Sequence, residues 1–176
     1  MISNNQYNSE RLNVKEIIKI GLMSALIYIS TAAINVPIGP GGVIHLGDSM
    51  IFVTAILFGW KNAAFSGAIG MTLFDLLSPY AVWAPYTLVI KGIMGAIAGL
   101  ISHGNERKGM NLVWNIIAVA ASGVWMIFGY YIAEAIIYGN ILSPMASIPA
   151  NFFQVAGGAV IAIPLTALLK RNVYFK

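Results

Sequence analysis

The sequence predicts an all-α integral membrane protein, a compact bundle of six transmembrane helices with both termini in the cytoplasm. Three observations carry that expectation. Hydrophobic residues make up 59% of the 176-residue chain and charged residues only 9%, too little polar surface to coat a soluble globule of this size. Apolar segments follow one another along almost the whole chain, separated by short polar or Pro/Gly turns. All but one of the ten Lys and Arg residues fall where six crossings would place them on one side of a bilayer. The exception, Lys91, lies inside an apolar segment.

Residues 1–13 are polar and lack the basic-then-apolar order and small-residue cleavage site of a secretory signal, so they read as a cytoplasmic segment ahead of a retained first span. A window of about 20 residues, the length that crosses a hydrocarbon core, places that span at 14–36, closed by Pro37 and the turn of residues 38–42. The next apolar stretch, 49–58, is too short to cross straight unless it starts deeper or takes in 45–48. It ends at Gly59-Trp60-Lys61, and a third segment, 62–77, runs to the break at Ser78-Pro79-Tyr80. Pro85, a favoured first-turn residue, opens a fourth segment to 102, and the polar run 103–109 closes it. The fifth, 111–138, is long enough to tilt. After the 139–147 loop, the sixth covers 149–169, with Pro164 as a kink site. The spanning domain is thus 14–171, followed by a short cytoplasmic tail, 172–176.

Charge decides the count. With Arg11, Lys15 and Lys19 inside, six crossings bring Lys61, Arg107, Lys108, Lys170, Arg171 and Lys176 to the same side, and the other three loops hold no Lys or Arg. Five crossings would put the C-terminal cluster outside, and merging the second and third segments would strand Lys61 in lipid. The net charge of +4 follows from these loops and does not form a nucleic-acid face. The absence of Cys excludes disulfides, thiolate metal sites and a cysteine nucleophile.

Small residues recur four apart: Gly21/Ala25 in the first segment, Ala63/Gly67 in the third, Gly92/Ala96 and Gly95/Gly99 in the fourth. Such spacing lets helices approach closely in lipid.

The polar residues out of place all cluster toward the outer side: His45 and Asp48 before the second helix, Asp75 at the end of the third, Lys91 in the fourth, Glu134 in the fifth, Asn151 and Gln154 opening the sixth. Together they predict an outward-facing polar pocket. Lys91 sits about 9 Å along its helix from the outer end, and an intramembrane charge of this kind calls for a polar cavity or a counter-charge. Asp48 is the first candidate partner and Asp75 the second. His45 and Asp48 share i, i+3 spacing, which a metal or acid/base pair could use, but no motif supplies a third ligand. The simpler reading makes Asp48 the N-cap of the second helix and His45 a polar lid over a ligand. Tyr80, Trp83 and Tyr86 crowd the loop before Lys91, and Tyr130, Tyr131 and Tyr138 lie on the outer half of the fifth helix. Rings beside a few polar groups suit a planar heterocycle.

His45-Leu46-Gly47-Asp48 after a Pro/Gly-rich loop, Gly59, Gly67-Ala68-Ile69-Gly70 with Asp75, and the Lys91–Gly99 stretch resemble the substrate-binding S components of energy-coupling factor (ECF) transporters. The similarity covers nearly the whole chain and leans to the branch that takes riboflavin, hydroxymethylpyrimidine and pyridoxine-like compounds. The resemblance implies a bacterial or archaeal multi-pass cell-membrane protein that binds a vitamin-like molecule near the outer face. It also implies docking through Gly21 and Ala25, a Gly-for-Ala variant of the family's small-residue motif, onto a transmembrane coupling subunit. Two ATPase subunits would carry ATP and Mg, and this chain holds no Walker A sequence and is expected to need no cofactor. Two other classes fit parts of the pattern: an ion-coupled carrier in which Lys91 and Asp48 titrate, and a membrane-embedded acid/base enzyme using His45, Asp48 and Glu134.

Overall fold

The computed structural model describes residues 13–38 and 42–171. Among them are six α-helices: α1 (Val14–Ala33), α2 (Gly47–Phe58), α3 (Trp60–Leu76), α4 (Ala84–His103), α5 (Leu112–Tyr138) and α6 (Ile148–Arg171). One hairpin, β1 (Asn35–Ile38) and β2 (Gly42–His45), joins α1 to α2. Arg11 and Lys176, residues 39–41 of the expected turn, and the proposed tail lie outside the described residues.

Helix α1 starts on a capping box, with Asn13 accepting from the Glu16 N–H at 3.0 Å and Glu16 accepting from the Asn13 N–H at 3.1 Å. It buries a stripe of Ile20, Met23, Ser24, Ile27 and Thr31, while Ile17, Ile18, Leu22, Leu26 and Ile29 stay exposed. An apolar outer face is what a membrane span presents to lipid.

The helix ends before 36, earlier than hydropathy indicates. Val36 precedes Pro37, which disfavours the α conformation, and the segment pairs antiparallel with β2 in the register Asn35↔His45 and Val36↔Ile44. The hairpin fixes where His45 sits.

Helix α2 is not a lipid-facing span. Nine of its 12 residues are buried, and a helix apolar nearly all round belongs inside a bundle. Gly59, with φ +80°, turns the chain directly from α2 into α3 in a backbone conformation that favours glycine.

Close packing of α3 on α4 accounts for most of the small-residue spacing. A Cβ on Gly95 would strike the Ala63 backbone, one on Gly99 the Trp60 backbone, and one on Gly67 would come within 3.1 Å of the Lys91 carbonyl. Gly21 is the contrast, since nothing lies within 4 Å of its would-be Cβ, and both it and Ala25 are exposed.

Four stretches, 14–33, 81–106, 112–138 and 143–171, are long and apolar enough to cross a membrane. The described basic residues other than Lys91 gather at one end of the bundle. There Lys19 lies 5.7 Å from the Phe58 ring, Arg107 packs 3.9 Å over Trp114, and the Lys170 ammonium donates to the Lys108 carbonyl.

Candidate functional site

At the opposite end, β2 and the ends of α3, α4, α5 and α6 border a cavity with about 540 Å³ of empty space, its open mouth included. Of the residues expected to bind a ligand, His45, Asp75, Tyr80, Trp83, Glu134, Asn151 and Gln154 line it. Neighbours four residues away complete the wall: Met71 before Asp75, Thr87 after Trp83, and Tyr130 before Glu134. That i, i+4 relation was a usable signal. Val43 of β2 and Ser147, at the end of a short 3-10 turn before α6, are the other lining residues, and no helical periodicity marks their placement.

Lys91, Asp48 and Tyr86 do not line the cavity. Lys91 and Asp48 lie one shell behind it, both fully buried, with Nζ 2.5 Å from Oδ1. Gln154 donates through Nε2 to Asp48 Oδ2 at 2.7 Å and accepts the His45 backbone N–H at 3.3 Å. This glutamine ties the hairpin, α2 and α6 together around the ion pair. A buried ion pair repays its desolvation only when further hydrogen bonds satisfy it, and Gln154 supplies one. The Lys91 ammonium also lies 5.2 Å from the centre of the Tyr130 ring, within cation–π range. Tyr86 is half-buried and packs against the core.

Asp48 is not the N-cap of α2. That position belongs to Leu46, which makes no side-chain cap, and Asp48 is the second helical residue with both oxygens engaged. Its engagement also removes it as a free metal ligand or base beside His45. Gly47 does permit close approach, because a Cβ there would strike the Thr31 hydroxyl.

The cavity wall is aromatic with a few unsatisfied polar atoms. Tyr80 stacks on Phe74 at 6.1 Å and 23°, and Phe74 in turn lies 6.3 Å from the His45 ring. Trp83 packs 6.1 Å from Tyr130, whose hydroxyl is 3.2 Å from Thr87 Oγ1. Asp75 is buried with Oδ2 unpartnered, and His45 Nδ1 is likewise unpartnered. Burial pushes the His45 imidazole down from 6.5 to about 4, so the ring is neutral at pH 7. Glu134 is held by Ser147, whose hydroxyl donates to Oε2 at 2.7 Å. The arrangement offers flat stacking surfaces and unpaired hydrogen-bonding atoms, which is equipment for holding a ring-bearing molecule.

Comparison with known proteins agrees with this architecture. Residues 11–171 match the family described as ECF-type riboflavin transporter, S component. An uncharacterized protein of Pyrococcus woesei is 31% identical, over 84% of this chain and 96% of its own. The thiamine precursor transporter HmpT of Lactococcus lactis subsp. cremoris (strain MG1363) is 28% identical, over 91% of this chain and 90% of its own. The solved structure of ThiT from Listeria monocytogenes superposes with a TM-score of 0.65 at 18% identity, covering 90% of this chain and 94% of that one. The helical bundle, the cavity at one end and the family match over 11–171 lead to one conclusion: the chain belongs to the ECF-type riboflavin transporter S-component family, and is a multi-pass cell-membrane transport subunit rather than an enzyme.

Proposed function

We propose that this subunit captures a water-soluble vitamin or vitamin precursor in the cavity and delivers it to an ATP-driven energy-coupling module. The observation that carries the reading is the aromatic cavity with two unpartnered buried polar atoms, Asp75 Oδ2 and His45 Nδ1, because buried polar groups are normally satisfied and a bound ligand would satisfy these. The basic end of the bundle faces the cytoplasm by the positive-inside rule, which turns the cavity outward.

The ligand is a small heterocycle of the hydroxymethylpyrimidine or pyridoxine kind rather than riboflavin. Tyr80, Trp83 and Tyr130 line the cavity together with Asp75, Glu134 and Asn151, a set of stacking faces and polar atoms that suits a ring with polar substituents. A relative named as a thiamine precursor transporter supports the same choice. Gly21 and Ala25, exposed on α1 with open space over Gly21, form the docking patch for a transmembrane coupling subunit, and two partner ATPases supply ATP and Mg chemistry.

Mass spectrometry of small molecules released from the detergent-purified chain, followed by titration of the compound found, tests the proposal. A co-purified pyrimidine or pyridoxine-like compound that rebinds supports it. No binding across hydroxymethylpyrimidine, pyridoxine and riboflavin defeats it. Uptake abolished by collapsing the proton gradient but indifferent to partner ATPases would make the chain an ion-coupled carrier instead.

A further inference from the structure

At the basic end of the bundle a second cleft, about 540 Å³ including its mouth, opens between the start of α5 and the end of α6. Lys170 and Arg171 line it, and Met110, Leu112 and Ile163 give it an apolar side. Met110 is 61% exposed and Leu112 54%, so this side faces the surroundings of the bundle. Asn115 lines the cleft, is itself only 6% exposed, and donates through Nδ2 to the Gly109 carbonyl at 2.8 Å. Its Oδ1 has no partner. With the amide orientation set by the Gly109 bond, that oxygen can only accept.

The cleft therefore presents cationic donors, an unfilled acceptor and an apolar side. Lys170 has donors to spare beyond its bond to the Lys108 carbonyl. The matching occupant carries anionic oxygens, a hydroxyl donor and apolar chains. We propose that this cleft seats the headgroup of an anionic, hydroxyl-bearing phospholipid such as phosphatidylglycerol. Its phosphate meets Lys170 and Arg171, a glycerol hydroxyl donates to Asn115 Oδ1, and its acyl chains run down past Leu112 and Ile163. The site stands at the opposite end of the bundle from the vitamin cavity and does not depend on what that cavity binds.

The test is native mass spectrometry of the full chain released from detergent micelles doped with one lipid at a time. Phosphatidylglycerol should be retained roughly 30-fold better than phosphatidylcholine, the factor expected for two basic residues near a membrane surface. The double variant Lys170→Gln/Arg171→Gln should lose that preference while keeping its helical content. In the unaltered chain, phosphatidylglycerol should also outcompete phosphatidylmethanol, which has the same charge and no glycerol hydroxyls. Equal retention of phosphatidylglycerol and phosphatidylcholine, or an unchanged preference in the double variant, would overturn the site. Equal retention of phosphatidylglycerol and phosphatidylmethanol would overturn the role given to Asn115.

Discussion

Lys91 and Asp48, 43 residues apart, form a fully buried ion pair at 2.5 Å, and neither side chain reaches the cavity it underlies. The pair joins α4 to α2, and through Gln154 it also holds α6 and the hairpin. Because it joins elements that carry the cavity wall, its variants are expected to act first on stability.

Lys91→Met alone leaves the Asp48 carboxylate buried without its counter-charge, a change that costs about 3–5 kcal/mol. Lys91→Met/Asp48→Leu removes both charges and should recover most of that loss. Thermal unfolding in detergent measures both. A single variant as stable as the double would show that the ion pair holds nothing together.

Asp75→Asn should act the opposite way. Its Oδ2 has no protein partner, so stability should be unchanged or higher. Affinity for a ligand that donates to that oxygen should fall by about 1.5–3 kcal/mol, the worth of a charge-assisted hydrogen bond. Isothermal titration with the co-purified compound reads the difference, and unchanged affinity would remove Asp75 from ligand contact.

Gly21→Leu/Ala25→Leu should leave folding and isolated ligand binding intact, because open space lies over Gly21, and should abolish uptake with the coupling module. Gly95→Leu is the control. Its side chain must enter the Ala63 backbone, so it should destabilise the bundle by at least the ~1–3 kcal/mol of ordinary overpacking. Comparing uptake and melting temperature in the two variants separates a docking face from an internal one.

His45 predicts a pH dependence. Its pKa falls on folding from 6.5 to about 4, so the unfolded chain binds the proton more readily than the folded one. The contribution is fully present above about pH 6.5 and is lost as pH falls toward 4, by roughly 3 kcal/mol in total. Unfolding measured from pH 7 to pH 4 in the parent and in His45→Gln should show a shallower decline in the variant. Parallel declines would exclude His45 as the source.

Most of the helix limits were legible in the chain because hydropathy and Pro/Gly breaks are local properties. The breaks at Gly59, Pro79 and the 103–109 run each bound a helix within a few residues of where the structure ends it. The basic end was legible for the same reason, since the positions of Lys19, Arg107, Lys108 and Lys170 follow once the number of crossings is known. The hairpin was not, because 34–38 is as apolar as the helix before it and only pairing with 42–45 turns it into a strand. The interior position of α2 was hidden likewise, since length marks it as short without saying what surrounds it.

The sequence by itself determined that the chain is a membrane bundle with one charged lysine to accommodate and a polar cluster at one end. Tertiary structure alone decided that Lys91 pairs with Asp48 rather than Asp75, that Gln154 braces that pair, and that Asp75 faces the cavity with Oδ2 unpartnered. The physical reason is that hydropathy and charge are written along the chain, whereas an ion pair depends on interhelical distances of a few ångströms. Those distances follow from which backbones approach most closely, and the close approach of α3 to α4 at Gly67, Gly95 and Gly99 helps set where Lys91 can reach.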